Sequence, residues 1–470
     1  MRKFTLLFIF SIFLSLPLTA QLSSFKVLQP VGVATNTGDK PQSKVWFYEG
    51  KYWSILPDAV GTHLWRLDGT AWTKLQLLLP GDYAKADCKV VGNIAHILLF
   101  RETNMSYLMS LEYSAKDNTY QLWSQRPSRV VLNLDPNVEV ATLDIDSKGR
   151  MWIAYDGSKE IYAQWSDAPY STWSAPITLA NNTSTDDLSG VIALPGINKI
   201  GVLWSNIATK RFGFKLHDDN ADPNTWSEDE IPANQSAMDV GAGMADDHLN
   251  MTAASDGTLY AAVKTSFETA GYTKIALLVR RPYGTWDEMY KVSGTGTRPI
   301  VILNEAQDKL KVIYTADEGG GDILQRESST INILFDSPRT LLAGPYNYAS
   351  TAKNNPNAPE SIVIATNVSS LNLQAVGVLT VDALGSTLKA YPNPFNMMCT
   401  IAFSLPEDSD YSIGIYDSKG LQVTSFVQGS AIKGKQNKVT FNGSSLASGL
   451  YIARLKTSTG MQHIKVLLEK

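Results

Sequence analysis

Short runs in which apolar residues alternate with polar ones, or are apolar throughout, recur along almost the whole chain. Examples are KVWFYEGKYWSIL (44–56), RMWIAYDGSKEIYAQW (150–165) and KIGVLWSNIATKRFGFKL (199–216), all rich in β-branched and aromatic residues. Such runs read as β-strands. The breaks between them, EGK, DGT, DSKGR and SDGT, carry turn chemistry. Almost no stretch follows the helical period, so the pattern predicts an all-β protein.

A longer period lies above the strands. GTAWTK, TYQLWSQ, YSTWSA, PNTWSE and YGTWDE place Trp72, Trp123, Trp173, Trp226 and Trp286 at spacings of 51, 50, 53 and 60 residues. A weaker echo, NILFDS, places Phe335 another 49 residues on. A repeat near 50 residues built of about four short strands predicts a β-propeller, each repeat forming one blade around an axis. A β-sandwich or a solenoid fits that spacing poorly. Inner strands are expected to start near residues 43, 87, 140, 188, 247 and 298, with a seventh near 360. The count is then seven blades, with six as the alternative. FKVLQPVGVA (25–34) is placed to complete the last blade and clasp the ring.

The first residues bear on destination. Arg2 and Lys3 precede FTLLFIFSIFLSLPL, and Ala20 follows at a suitable cleavage point, the layout of a signal peptide over residues 1–20. The apolar run is shorter than the roughly 20 residues a membrane span needs, so no transmembrane segment is expected in the mature protein. No cysteine follows it for lipid attachment. Composition is globular and aromatic-rich, with 11 Trp and 20 Tyr. A net charge of −4 without long runs of one sign argues against nucleic acid, which calls for concentrated Lys and Arg. Cys88 and Cys399 lie too far apart to suggest a disulfide framework or a metal site. No cofactor is expected. DDNADPN (218–224) offers alternating oxygens that suit Ca²⁺, but the same residues suit a solvated Asx-rich turn.

After about residue 380 the sequence changes character. Tyr391-Pro392-Asn393-Pro394-Phe395 opens a series of short alternating strands, followed by Ile415-Tyr416-Asp417 with Gly420. Leu446-Ala447-Ser448-Gly449-Leu450-Tyr451 and the terminal HIKVLLEK complete the set. These ordered motifs resemble the type A sorting domain of the type IX secretion system of Bacteroidetes. The resemblance implies a small β-sandwich over 381–470 and partnership with the type IX machinery. It further implies passage through the outer membrane, to be released or held at the cell surface. Within 21–380, GDKPQSKVWFYEGKYW, LWRLDGTAW, DDHLN, VKTS and TRPIVIL resemble BNR-like, sialidase-like extracellular propellers, a group without settled activity. ASDGTLY and DSKGRMW are partial Asp-box hairpins, in which the aspartate ordinarily bonds its own turn. A true sialidase would call for an arginine triad and a Tyr–Glu pair, and Arg66 and Arg298 do not supply them.

Candidate chemistry follows from propeller geometry. Loops that lead into the inner strands open on one end of the axis, so residues 50 apart in sequence converge there. Asp39, Lys40, Gln42 and Lys44 precede the first blade. Lys85 and Asp87 precede the second, Asp186 and Asp187 the fourth. Asp246, Asp247, His248 and Asn250, within GMADDHLNMTAA, enter the fifth, and Arg298 the sixth. With His248 as base and Arg298, Lys44 or Asn250 neutralising a carboxylate, the residue types fit uronate elimination. Asp87, Asp187 and Asp247 are candidates for the two carboxylates of glycoside hydrolysis. Lys40, Gln42, Lys44 and Asn250 are the candidate substrate-binding residues; no metal ligands are assigned. The expected role is binding or degrading an extracellular polysaccharide, with a non-catalytic glycan-binding, adhesin or protein-interaction propeller as the alternative. Trp46, Tyr48 and Trp65 suit sugar stacking or packing between blades alike.

Overall fold

The computed structural model describes residues 24–470 except 39, 82, 103–104, 354–359, 370–372, 382–386, 406, 418–419, 425–426, 434 and 459. The expected signal peptide and Asp39 fall outside the described residues. The chain divides into two compact units, one spanning Phe25–Val381 and the other containing Asp382–Lys470.

The first unit is a succession of antiparallel meanders. Val45–Tyr48, Lys51–Asp58, Gly61–Asp68 and Ala71–Pro80 form the first four-stranded sheet. Its opening hairpin turns on Glu49 and Gly50, both at positive φ, as a tight two-residue turn requires. Later sheets start from Lys85–Val91, Ala141–Ile145, Ser189–Leu194, Leu249–Ala253 and Thr297–Asn304. The one beginning at Ser189 has three strands, and a lone bridge between Phe214 and Glu230 stands where a fourth would pair.

The last sheet differs from expectation. Arg339–Thr351, 13 residues long, pairs with Gly321–Ser329 through its first half and with Glu360–Asn367 through its second. It therefore ends one group and begins the next, and Glu360–Asn367 is a second strand rather than the inner strand expected near 360. No hairpin separates the two halves, so the sequence carries no turn signal there. The expected clasp is present: Ser24–Val27 and Val31–Gly32 pair with Gln374–Val381. Each first strand packs beside the first strand of the next group, and Arg339–Thr351 beside Val45–Tyr48, with a parallel bridge from Val45 to Ala352. The inner strands thus close a cycle, which is the architecture of a β-propeller.

Apolar clusters lie between neighbouring sheets rather than in one central core. Trp53, Ile55, Ile97 and Leu111 fill the first interface, and Leu28, Leu56, Ile362 and Ile364 fill the one across the clasp. The recurrent tryptophans staple outer edges. Trp226 meets Trp152 edge-on at 5.4 Å, and Trp286 meets Phe214 at 5.4 Å while donating to Glu230 Oε2 at 2.7 Å. Trp46 and Trp65 are buried in these interfaces, and Tyr48 packs against Tyr113 and Tyr120. The Asp-box aspartates close their own turns: Asp146 accepts from the amides of Lys148 and Arg150, and Asp256 from that of Thr258. In DDNADPN, Asp218 and Asp222 likewise accept from the amides of Asn220 and Asn224.

The second unit is a small β-sandwich. One sheet holds Thr387–Tyr391, Met398–Ser404 and Asn437–Asn442; the other holds Val427–Ala431, Ser409–Tyr416, Gly449–Thr457 and Gly460–Leu468. Phe395, Ile401, Phe403, Ile415, Phe441 and Leu455 belong to their common core. Asn393 anchors the entry, donating to the Lys465 carbonyl and accepting from the Leu467 amide. Cys88 and Cys399 are both buried free thiols. No described helix is long and apolar enough to cross a membrane.

Candidate functional site

Four segments that precede or begin inner strands, joined by Lys264 and Glu318, bring charged side chains together. His248 is only 5 % exposed. Its Nδ1 lies 2.8 Å from Asp246 Oδ1 and 2.5 Å from Asp247 Oδ1. Lys40 reaches Asp247 Oδ2 at 2.5 Å and Glu139 Oε1 at 2.6 Å, although the three residues lie about a hundred positions apart in sequence. Lys264 joins Asp246 at 3.2 Å to Glu318 at 2.7 Å. Arg298 donates to the Glu318 carbonyl at 3.1 Å and lies 4.8 Å from the centre of the Tyr348 ring.

Backbone approach makes this meeting possible. Thr37 donates its hydroxyl to the Tyr348 carbonyl, and a Cβ on Gly38 would stand 2.6 Å from the same oxygen. Only glycine fits there, two residues before Lys40. Lys40, His248, Leu249, Arg298, Pro299, Ile300, Tyr348 and Ala349 enclose a small pocket with room for about one water molecule.

The electrostatics of the network are set by its pairs. Burial pushes the His248 imidazole down, but its hydrogen bonds to Asp246 and Asp247 and their charges outweigh it, and the net shift is upward. Burial likewise opposes charge on Asp247, yet His248 and Lys40 hold its carboxyl far below the usual range. The Lys40 ammonium is shifted up by Asp247 and Glu139 against burial. Burial and the Asp247 charge raise the nearby Asp186. The two carboxylates on Nδ1 thus favour the imidazolium form of His248.

Of the other predicted site residues, none shares that pocket. Asp87 is fully buried and accepts from the amides of Ser43 at 2.8 Å and Leu143 at 2.7 Å, with Lys353 also on it. Asn250 accepts from the Val301 amide at 3.1 Å, and Gln42 donates to the Ala141 carbonyl at 2.9 Å. Lys44, 1 % exposed, points to the Ala86 carbonyl at 3.3 Å. These side chains stitch the free edges of the inner strands to the neighbouring blades, so the axis is filled rather than open. Asp187, also fully buried, accepts from the amides of Ser184 and Ile207 and braces its own blade. The convergence expected for Asp87, Asp187, Lys44, Gln42 and Asn250 on one cavity with His248 is therefore corrected: their polar atoms serve the backbone.

Glu139, Lys264, Glu318 and Tyr348 belong to the network and were not anticipated. Glu139 stands before the third inner strand, where the same loop rule would have found it. Lys264 ends a second strand, and Glu318 sits in the hairpin between a second and a third strand. Such hairpins open at the same end as the loops between blades. Tyr348 lies inside a strand shared by two groups, where no loop marks it. Asp246, Asp247 and His248 also bring one ligand atom each within 4.8 Å of the others, but both carboxylates are already bound by lysines, which a cation would have to displace.

No curated protein matches the sequence. Among solved structures, a polysaccharide lyase of the PL25 family, an ulvan lyase bound to -[GlcA(1-4)Rha3S]-, is 9 % identical, covering 74 % of this chain and 95 % of that one at a TM-score of 0.47. A protein of unknown function from Dyadobacter fermentans is 11 % identical, with 76 % and 99 % covered and a TM-score of 0.46. An α-L-arabinanase from Penicillium chrysogenum is 11 % identical, with 66 % and 100 % covered and a TM-score of 0.40. At such identities and scores these likenesses assign neither substrate nor chemistry to the present chain. The C-terminal unit is different: residues 389–469 match the family model of the secretion system C-terminal sorting domain. The chain therefore ends in a sorting domain of type IX secretion, which directs the protein to export, at the cell surface or released from it.

Proposed function

We propose that the protein is an exported, seven-bladed propeller that binds an extracellular polysaccharide where Lys40, His248, Arg298 and Tyr348 meet. Residues 1–20 act as its export signal, 21–380 as the propeller and 381–470 as the sorting domain. The observation that carries this reading is local backbone strain. Lys40 (φ 50°), Arg298 (φ 49°) and Tyr348 (φ 58°) each adopt the left-handed conformation around one pocket. For side chains of this size that conformation costs on the order of 1 kcal/mol each, and such strain gathers at ligand sites.

Binding is favoured over catalysis by the state of the candidate groups. A base must be neutral and reachable, whereas His248 is shielded and the two carboxylates on it favour its protonated form. Asp87 and Asp187 have no exposed surface, and their oxygens are spent on backbone amides, so they support no two-carboxylate hydrolysis. Arg298 keeps its side chain 21 % exposed at the rim, where a sugar can reach it. The test is calorimetric titration of the full-length protein with neutral and acidic polysaccharides, alongside absorbance of unsaturated products. Binding without product, weakened in Arg298→Gln, is the expected result. Failure to bind any glycan would overturn the reading, and product formation would overturn its non-catalytic part.

A further inference from the structure

Resting on that reading, we propose that the pocket beside His248 is an oxyanion site taking one oxygen of a carboxylate or sulfate ester on the polysaccharide. The imidazole supplies the first argument. Its Nδ1 is engaged by Asp246 and Asp247, while Nε2 is buried and meets no hydrogen-bond partner among the described residues. A buried N–H left unsatisfied is costly, so this atom marks a place built for an acceptor. In the imidazolium state Nε2 is a donor and carries positive charge, and a charged oxygen is its best partner.

The surroundings agree. Lys40 and Arg298 line the same pocket, and Arg298 spends one N–H on the Glu318 carbonyl, with the Glu318 carboxylate no nearer than 3.9 Å. The charged groups around the imidazole are Asp246 and Asp247 on its own segment, Lys40, Glu139, Asp186, Lys264, Arg298 and Glu318. Asp246 and Asp247 engage Nδ1, Glu139 and Glu318 are bound to lysines, and no carboxylate is among the residues that line the pocket, which mixes Lys40, His248 and Arg298 with apolar side chains. Its volume admits about one oxygen atom, with the remainder of the anionic group left at the rim by Arg298.

The experiment compares three oligosaccharides of equal length on the full-length protein by calorimetry: an oligogalacturonide, a sulfated neutral oligomer and its unsulfated parent. The acidic ligands should bind at least about tenfold tighter than the parent, the gain expected of one charge-assisted hydrogen bond. His248→Gln and Arg298→Gln should each abolish that preference, so that on each variant the acidic ligands bind no tighter than the unsulfated parent does on that same variant. The preference should also vanish in the wild type as rising pH deprotonates the imidazole, a readout that stands even where His248→Gln does not fold. Tight binding of one acidic ligand alone names the group and upholds the proposal. Equal binding of all three overturns it while leaving the polysaccharide-binding reading intact. Binding of none overturns both.

Discussion

Two carboxylates on one imidazole nitrogen favour the protonated ring, and at the residue scale this decides what His248 contributes. Its folded pKa lies above the ordinary value, so its stabilising contribution is complete below about pH 6.5 and is lost as pH rises through the folded value. His248→Ala leaves Asp246 and Asp247 facing each other without the cation between them. That change should cost about 3 kcal/mol, the range for breaking one side of a buried ion pair, measured by denaturant unfolding near pH 6. Asp156 adds a second pH-dependent term. Buried beneath the amides of Glu139 and Val140, its carboxyl is pushed up to about 7. The folded state then holds a proton that the unfolded chain releases near pH 4, so stability falls as pH rises between about 4 and 7. Asp156→Asn should remove that slope from the pH dependence of Tm; an unchanged slope would remove Asp156 from the account.

At the scale of the element, the inner strand needs its channel-facing edge satisfied. Asp87, Asp144, Thr142 and Asn250 accept from amides of neighbouring blades, at 2.7–3.1 Å, and so turn adjacent inner strands into a stitched axis. Asp87→Ala orphans two amides and the Lys353 ammonium and should cost about 3 kcal/mol or more, whereas Asp87→Asn should cost less because it keeps an acceptor. Chemical denaturation of the two variants checks the ranking. The strands themselves were legible, because alternation and turn residues are local signals. The role of their polar residues was not: an aspartate before an apolar run looks the same whether it lines an open mouth or bonds a buried amide. What separates Lys40 from Lys44 is the partner each meets: Lys40 reaches carboxylates from two other blades, whereas Lys44 is enclosed beside the Ala86 carbonyl. Glu318 and Lys264 escaped because only loops between blades were collected, although the hairpins joining second and third strands open at the same end.

At the scale of the molecule, ring closure draws on the strands near the start of the chain and type IX sorting on the domain at its end. Leu28, 2 % exposed, seats the first described strand against Leu56, Ile364 and Leu379. Leu28→Ala should cost about 3 kcal/mol and lower the Tm of the propeller transition, measured by calorimetry, by several degrees. The tryptophan period disclosed the blades because five successive groups of strands repeat a tryptophan at the corresponding place. The sorting domain was legible because its motifs recur in fixed order over a short span. The strand shared between the last two groups was hidden, since it turns from one partner to the next without a loop.

The central claim is that residues gathered from separate blades make His248 a buried cation whose free nitrogen receives a ligand. Nitrogen-15 NMR of histidine-labelled full-length protein, with the His248 signals assigned by their loss in His248→Gln, tests it most directly. Both His248 nitrogens should carry protons at neutral pH, and Nε2 should shift on addition of an acidic oligosaccharide. A neutral imidazole, or an Nε2 signal indifferent to saturating ligand, would contradict the account.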